Sequence, residues 1–125
     1  MTTGLVLFAH GARDPRWREP FDRLLALVKQ RHRGPAGCAF LEFMTPDLPT
    51  ACGELARAGA TQIIVVPLFL GTGGHLRKHL PALLRAAREQ AGVQVRSVPA
   101  AGEDAFVLDA LAAYCLASLS EPALE

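Results

Sequence analysis

Gln62-Ile63-Ile64-Val65-Val66-Pro67, followed by Leu68-Phe69-Leu70-Gly71-Thr72-Gly73-Gly74-His75, is the stretch that decides the fold. An apolar, β-branched run without alternation reads as a strand buried on both faces of a parallel sheet. Pro67 removes a backbone donor and closes the strand. The glycines form a loop, and Leu80, Leu83, Leu84 and Ala87 then recur at helical spacing. Pro81 requires the regular helix to begin near His79. The stretch is one strand-loop-helix unit.

The same unit recurs on either side. Leu5-Val6-Leu7-Phe8-Ala9 reads as a first strand, His10 to Pro15 as its loop, and Pro20 as the start of a helix with Phe21, Leu24, Leu25 and Val28 on one face. Gly34-Pro35 ends that helix. Cys38-Ala39-Phe40-Leu41-Glu42-Phe43 reads as a second strand. Asp47 then caps a helix burying Leu48, Cys52, Leu55 and Ala56, which stops before Gly59. Val93 to Val98 gives a fourth strand, and Asp104 caps a last helix with Leu108, Leu111, Cys115 and Leu119 inward. Four β-α units in series predict an α/β, flavodoxin-like three-layer sandwich, a four-stranded parallel sheet with helices on both faces.

Composition narrows what such a domain does. At 125 residues, half of them hydrophobic, the chain is sized for a single domain with one core. Thirteen Lys plus Arg against twelve Asp plus Glu exclude a general nucleic-acid binder, so charge acts locally. The longest apolar run, Ile63 to Leu70, is far below the ~18 residues of a membrane span. Cys38, Cys52 and Cys115 are odd in number and form no C-x-x-C pair, which points to packing residues in a reducing compartment. Met1-Thr2-Thr3 has no positive charge and Leu5 to Ala9 is too short for a leader, so the expected location is cytoplasmic.

Ligands of such sheets bind at the carboxyl ends of the strands. His10 follows the first strand, Glu42 closes the second, and His75 lies in the loop after the third. In the common strand order 2-1-3-4 these ends are neighbours facing one cleft. Two imidazoles and a carboxylate suit a borderline divalent metal such as cobalt, nickel, iron or zinc, with the carboxylate offsetting charge or taking a proton. The same histidines also read as loop hydrogen-bonders. Glu42, between Leu41 and Phe43, is either paired, at an exposed strand end, or functional, because an unpaired buried carboxylate is costly. His32 and His79 read as residues of solvated helical faces.

Gly71 to Gly74 lacks the G-K-[ST] ending of a P-loop, and the first turn lacks G-x-G-x-x-G. The glycines are better suited to letting backbone pass close to a flat, bulky ligand. Arg13, Arg16 and Arg18, with Arg77 and Lys78, read either as a solvated face or as partners for a polyanionic small molecule.

Leu5 through Pro15, Ala39-Phe40-Leu41-Glu42, Val65 through Gly71 and Gly74-His75-Leu76-Arg77 together resemble the sirohydrochlorin chelatases, in the same order and spacing from about Gly4 to Leu119. The chain is similar to their short, single-lobe CbiX form, related to ferrochelatases, which carry two lobes in one chain. The resemblance implies a chelatase-like lobe over residues 1–125 (core about 4–119, with a short C-terminal tail). It also implies ATP-independent insertion of a divalent metal into sirohydrochlorin, an octacarboxylate tetrapyrrole of cobalamin or sirohaem biosynthesis. Cobalt is the expected metal, with iron and nickel as variants. By the same resemblance His10 and His75 bind the metal and Glu42 assists as a third polar group. Arg13, Gly73, Gly74 and Arg77 meet the substrate, no cofactor is needed beyond the metal, and a homodimer forms the cavity. Two departures stand out: Ala12 replaces a typical Ser, and His79 replaces a common acidic residue, placing an extra imidazole toward the cleft. The competing classes are a non-catalytic metal or tetrapyrrole carrier and a structural α/β domain.

Overall fold

Strands β1 (Thr3–Ala9), β2 (Ala36–Phe40), β3 (Gln62–Pro67) and β4 (Gln94–Ser97) pair in the order β2-β1-β3-β4, all parallel, in the computed structural model, which describes residues 1–122 and 124. Helices α1 (Glu19–Arg31), α2 (Leu48–Arg57), α3 (Gly74–Ala91) and α4 (Ala105–Ala117) alternate with them. On one face Val6, Phe8, Ile63, Val65 and Val95 pack with Leu48, Cys52 and Leu55 of α2 and Leu76 and Ala87 of α3. On the other, Leu7, Ala9, Cys38 and Phe40 meet Trp17, Phe21, Leu25 and Val28. Burying each large aliphatic side chain contributes roughly 1.5–3 kcal/mol, which makes β1 and β3 the rigid centre. The expected α/β sandwich, with helices on both faces, is the one observed.

Two boundaries and the packing of one helix differ from the sequence reading in ways that bear on the site. The second strand ends at Phe40 rather than Phe43. Past it, Leu41 and Glu42 still donate backbone hydrogen bonds to Ala9 and His10, at 2.9 and 3.0 Å. The chain then turns back through Phe43 in the left-handed region (φ 66°), so that Phe40 N–H reaches Pro46 O at 2.9 Å. Helix α3 starts at Gly74, before His79, and holds Pro81 in its interior. The donor missing at Pro81 would have served the Arg77 carbonyl, and both residues are exposed, so water can take that role.

The third difference is larger. Asp104 does cap α4, accepting from Val107 N–H at 3.1 Å. Yet Leu108, Leu111, Cys115 and Leu119 do not face inward; all four are exposed. Phe106, Tyr114 and Leu116 are exposed with them, at 85%, 75% and 66%. The inward reading assumed one apolar stripe, whereas apolar residues run around this helix and leave no preferred face. Its intended neighbourhood is also bare: β3 buries Ile63 and Val65 on the α2–α3 side but leaves Ile64 and Val66 half-buried on the other.

Cys52 is fully buried, and burial pushes its thiol up to about 11. The unfolded thiol ionises from about pH 9 while the folded one stays protonated, so this contribution is intact below pH 9 and drains as pH rises toward 11. The expected loss is about 2–3 kcal/mol. Denaturant unfolding at pH 8 and pH 11 checks it: Cys52→Ala should fall less over that interval than the parent protein.

Candidate functional site

His10 is the first residue beyond β1. Its ring packs T-shaped on Phe69, with centroids 5.3 Å apart at 88°. Phe69 is buried and makes a second T-shaped contact with Phe8 at 5.8 Å. The imidazole is thus backed by an aromatic pair rooted in the core. Phe69 is not among the candidate site residues read from the sequence; its place in the apolar run closing β3, at the same sheet edge as His10, was the available signal.

Glu42 is brought to His10 by backbone. Its N–H donates to His10 O at 3.0 Å, and Gly11 next door has φ +92°. A Cβ on Gly11 would overlap the Glu42 carbonyl oxygen, so the two loops can lie this close only with glycine there. The carboxylate is exposed beyond the strand end, and no burial penalty attaches to it.

His75 is the second residue of α3. The helix begins weakly: Gly73 caps it without a side-chain bond, no acidic residue occupies its first turn, and Pro81 interrupts its backbone ladder. One turn on from His75 stands His79, their rings 4.4 Å apart at 65°. His79 is exposed, as its place among charged helical residues implies, and it also lines the cleft, as the departure at that position implies.

These side chains meet in one hollow of about 340 Å³ lined by His10, Leu41, Glu42, His75, His79 and Leu83. Among the described residues, no three His, Cys, Asp or Glu groups stand close enough together to hold a metal ion. The hollow therefore gathers the expected polar groups without closing them into a ligand set. Another hollow of similar volume, near Met1 and Gly34, offers less chemistry. Its histidine, His32, is part-buried rather than solvated and bonds Thr3 O at 2.8 Å.

The basic residues divide. Arg16 pairs with Asp14 at 2.8 Å, and its guanidinium and backbone N–H hold that carboxyl below the usual carboxylate range. Arg18 pairs with Asp22 at 3.3 Å and lies over Phe40. Arg13 has no carboxylate partner among the described residues and stacks over Phe43, 4.5 Å from the ring centre. Arg77 lines an adjoining hollow of about 220 Å³ with Thr72, Leu76, Leu80 and Glu103. A Cβ added at Gly71, Gly73 or Gly74 would meet nothing within 4 Å, so open space lies beside that loop.

The CbiX family model matches residues 4–116. Sirohydrochlorin cobaltochelatases from Methanocaldococcus jannaschii and Methanothermobacter thermautotrophicus are 40% and 33% identical over 81 residues, covering 64% and 65% of this chain and 57% of each relative. The matched stretch thus spans little over half of those proteins. The enzyme of the same name from Saccharolobus islandicus is 32% identical over 91 residues, 73% of this chain and 70% of its own length. Among solved structures, a CbiX protein from Marinobacter aquaeolei VT8 superposes with a TM-score of 0.85 at 31% identity, covering 96% of this chain and 99% of that one. The sirohydrochlorin chelatase SirB from Bacillus subtilis subspecies spizizenii, in complex with cobalt, gives 0.75 at 26% identity, covering 94% of this chain but 51% of its own.

Proposed function

Since the chain belongs to the CbiX family, we propose that it inserts a divalent metal, cobalt foremost, into sirohydrochlorin without ATP, in cobalamin or sirohaem formation. The observation that carries this reading is the meeting of His10, Glu42 and His75 in one hollow at the carboxyl edge of the sheet. Neutral imidazoles of His10 and His75 offer lone pairs that replace water on the incoming ion. As the metal enters the ring, two pyrrole N–H protons leave; Glu42 stands beside them either as a base that takes one proton at a time and hands it to solvent water, or as a third group on the metal. Arg13 and Arg77 pair with substrate carboxylates, while Gly73 and Gly74 let the flat ring approach the backbone. The metal is substrate and product constituent, and no other cofactor is invoked.

A hollow of about 340 Å³ sits at the small end of the roughly 300–1,000 Å³ typical of ligand sites. An octacarboxylate macrocycle needs more wall than one lobe supplies. We therefore take residues 4–119 as one lobe of a homodimeric cavity, facing a second copy. The buried free thiols Cys38 and Cys52 suit a reducing, cytoplasmic setting. No described helix is long and apolar enough to cross a membrane.

The test is an anaerobic absorbance assay of the purified protein with sirohydrochlorin and cobalt(II), iron(II) or nickel(II) against a protein-free control. Insertion changes the macrocycle spectrum directly, and a rate above control is the expected result. A spectral shift on mixing without faster insertion would instead indicate a tetrapyrrole carrier. No shift with any metal would overturn both readings.

A further inference from the structure

His75 and His79 stand one turn apart at the start of α3, with ring centres 4.4 Å apart at 65°. Both are exposed, and both line the hollow shared with His10 and Glu42. His32 shows how this chain uses a structural histidine: it is part-buried and bonds Thr3 O at 2.8 Å. Among the described residues no such bond holds either imidazole of the pair, and neither ring belongs to the core.

We propose that His75 and His79 together form a two-imidazole site that takes a divalent transition metal from solution before any tetrapyrrole is bound. Residues four apart on a helix share a face, and histidines at that spacing are a recurrent metal-binding pair. Nitrogen ligands sit about 2.0–2.1 Å from such an ion, so two of them come within about 4 Å of each other. Rings centred 4.4 Å apart meet that requirement with the helix as it stands. The surrounding charge tolerates a cation. Arg77 lines the adjoining hollow with Glu103, Lys78 lines neither hollow, and Glu42 brings its carboxylate to the hollow of the pair.

Two donors suit a metal in transit. Among the described residues no three His, Cys, Asp or Glu groups are close enough to hold an ion, so water completes its coordination and the ion can leave. Resident metals are typically closed in by three or four protein ligands. His75 also belongs to the His10–His75 site proposed above, and the onward path of the ion rests on that reading. The ion passes across when His10 displaces His79 while His75 stays bound, one neutral donor exchanged for another with no change of oxidation state. Binding also has a structural consequence. A metal bridging the first two turns of α3 clamps a helix start that has a glycine cap without a side-chain bond and Pro81 in its interior.

The experiment is calorimetric titration of the full chain with cobalt(II) and with nickel(II), tetrapyrrole absent, on the parent and on His10→Ala, His75→Ala and His79→Ala. The parent should bind one ion per chain, nickel(II) more tightly than cobalt(II), as nitrogen donors dictate. His75→Ala and His79→Ala should each weaken binding by at least the roughly tenfold that losing a supporting group costs a metal site. His79→Ala should cost more than His10→Ala. Alanine is the best helix former, so far-UV circular dichroism should stay parental. Hydrogen exchange gives a second readout: nickel(II) should slow the amides of residues 76–83 in the parent and not in His79→Ala. No binding by the parent, or an affinity indifferent to His79, would overturn the pair. So would a loss from His10→Ala as large as that from His79→Ala, which would set the ion across the hollow instead of along the helix. Metal binding that obeys these rules without insertion would leave the pair standing and remove the chelatase reading. Insertion with binding indifferent to His79 would do the reverse.

Discussion

Replacing His10 or His75 by alanine is expected to lower the metal-insertion rate by about a hundredfold or more while leaving sirohydrochlorin affinity within a few fold. Both side chains are exposed at the edge of the hollow and neither supports the core, so stability should barely change. The two variants should nonetheless differ. His10 stands against the Phe69 ring, whereas His75 has an imidazole neighbour, His79, one turn away. His79 can partly take over the lone-pair role, so His75→Ala should retain more activity than His10→Ala, and His75→Ala with His79→Ala should fall to the level of His10→Ala. Initial rates with cobalt(II), beside tetrapyrrole titrations, check this. Rates unchanged in both single variants would remove the roles assigned to them.

Gly11→Ala should produce the second large effect, through backbone instead of through chemistry. The left-handed conformation alone costs a non-glycine residue on the order of 1–3 kcal/mol. The new methyl would also drive against the Glu42 carbonyl oxygen, parting the β1 and β2 loops. The expected result is a lower melting temperature together with an insertion rate as low as that of Glu42→Ala. Glu42→Ala itself removes only an exposed carboxylate and should melt like the parent. Thermal unfolding of the two variants separates position from chemistry. A Gly11→Ala protein with parental melting and activity would show that the close approach is dispensable.

The strands and two helix caps were legible because they rest on local signals, whereas the order β2-β1-β3-β4 was the common one assumed for such folds. Unbroken apolar runs marked β1 and β3, and Asp47 and Asp104 both cap as expected, bonding Thr50 and Val107 N–H. The exposure of α4 was not legible, because a helix apolar on every side gives no sign of whether any face packs. Glu42 lies two residues past the strand expected to include it, at the exposed strand end that was one of its readings: its neighbours Leu41 and Phe43 look like strand, but Phe43 is exposed beneath Arg13. Of the candidate site, strand-end position sufficed to nominate His10, Glu42 and His75. The glycine that permits their approach could not be read, since its constraint is a carbonyl on a different strand's loop.

The weak start of α3 gives the hollow two walls of unequal stiffness. β1 lies between two paired strands, and His10 inherits that rigidity. His75 rides on a helix end with a glycine cap, no acidic partner for its dipole and a break in its ladder at Pro81. Segments with few buried contacts and incomplete backbone bonding open at the smallest free-energy cost. Compliance is thus concentrated at His75, while His10 keeps its register with the core.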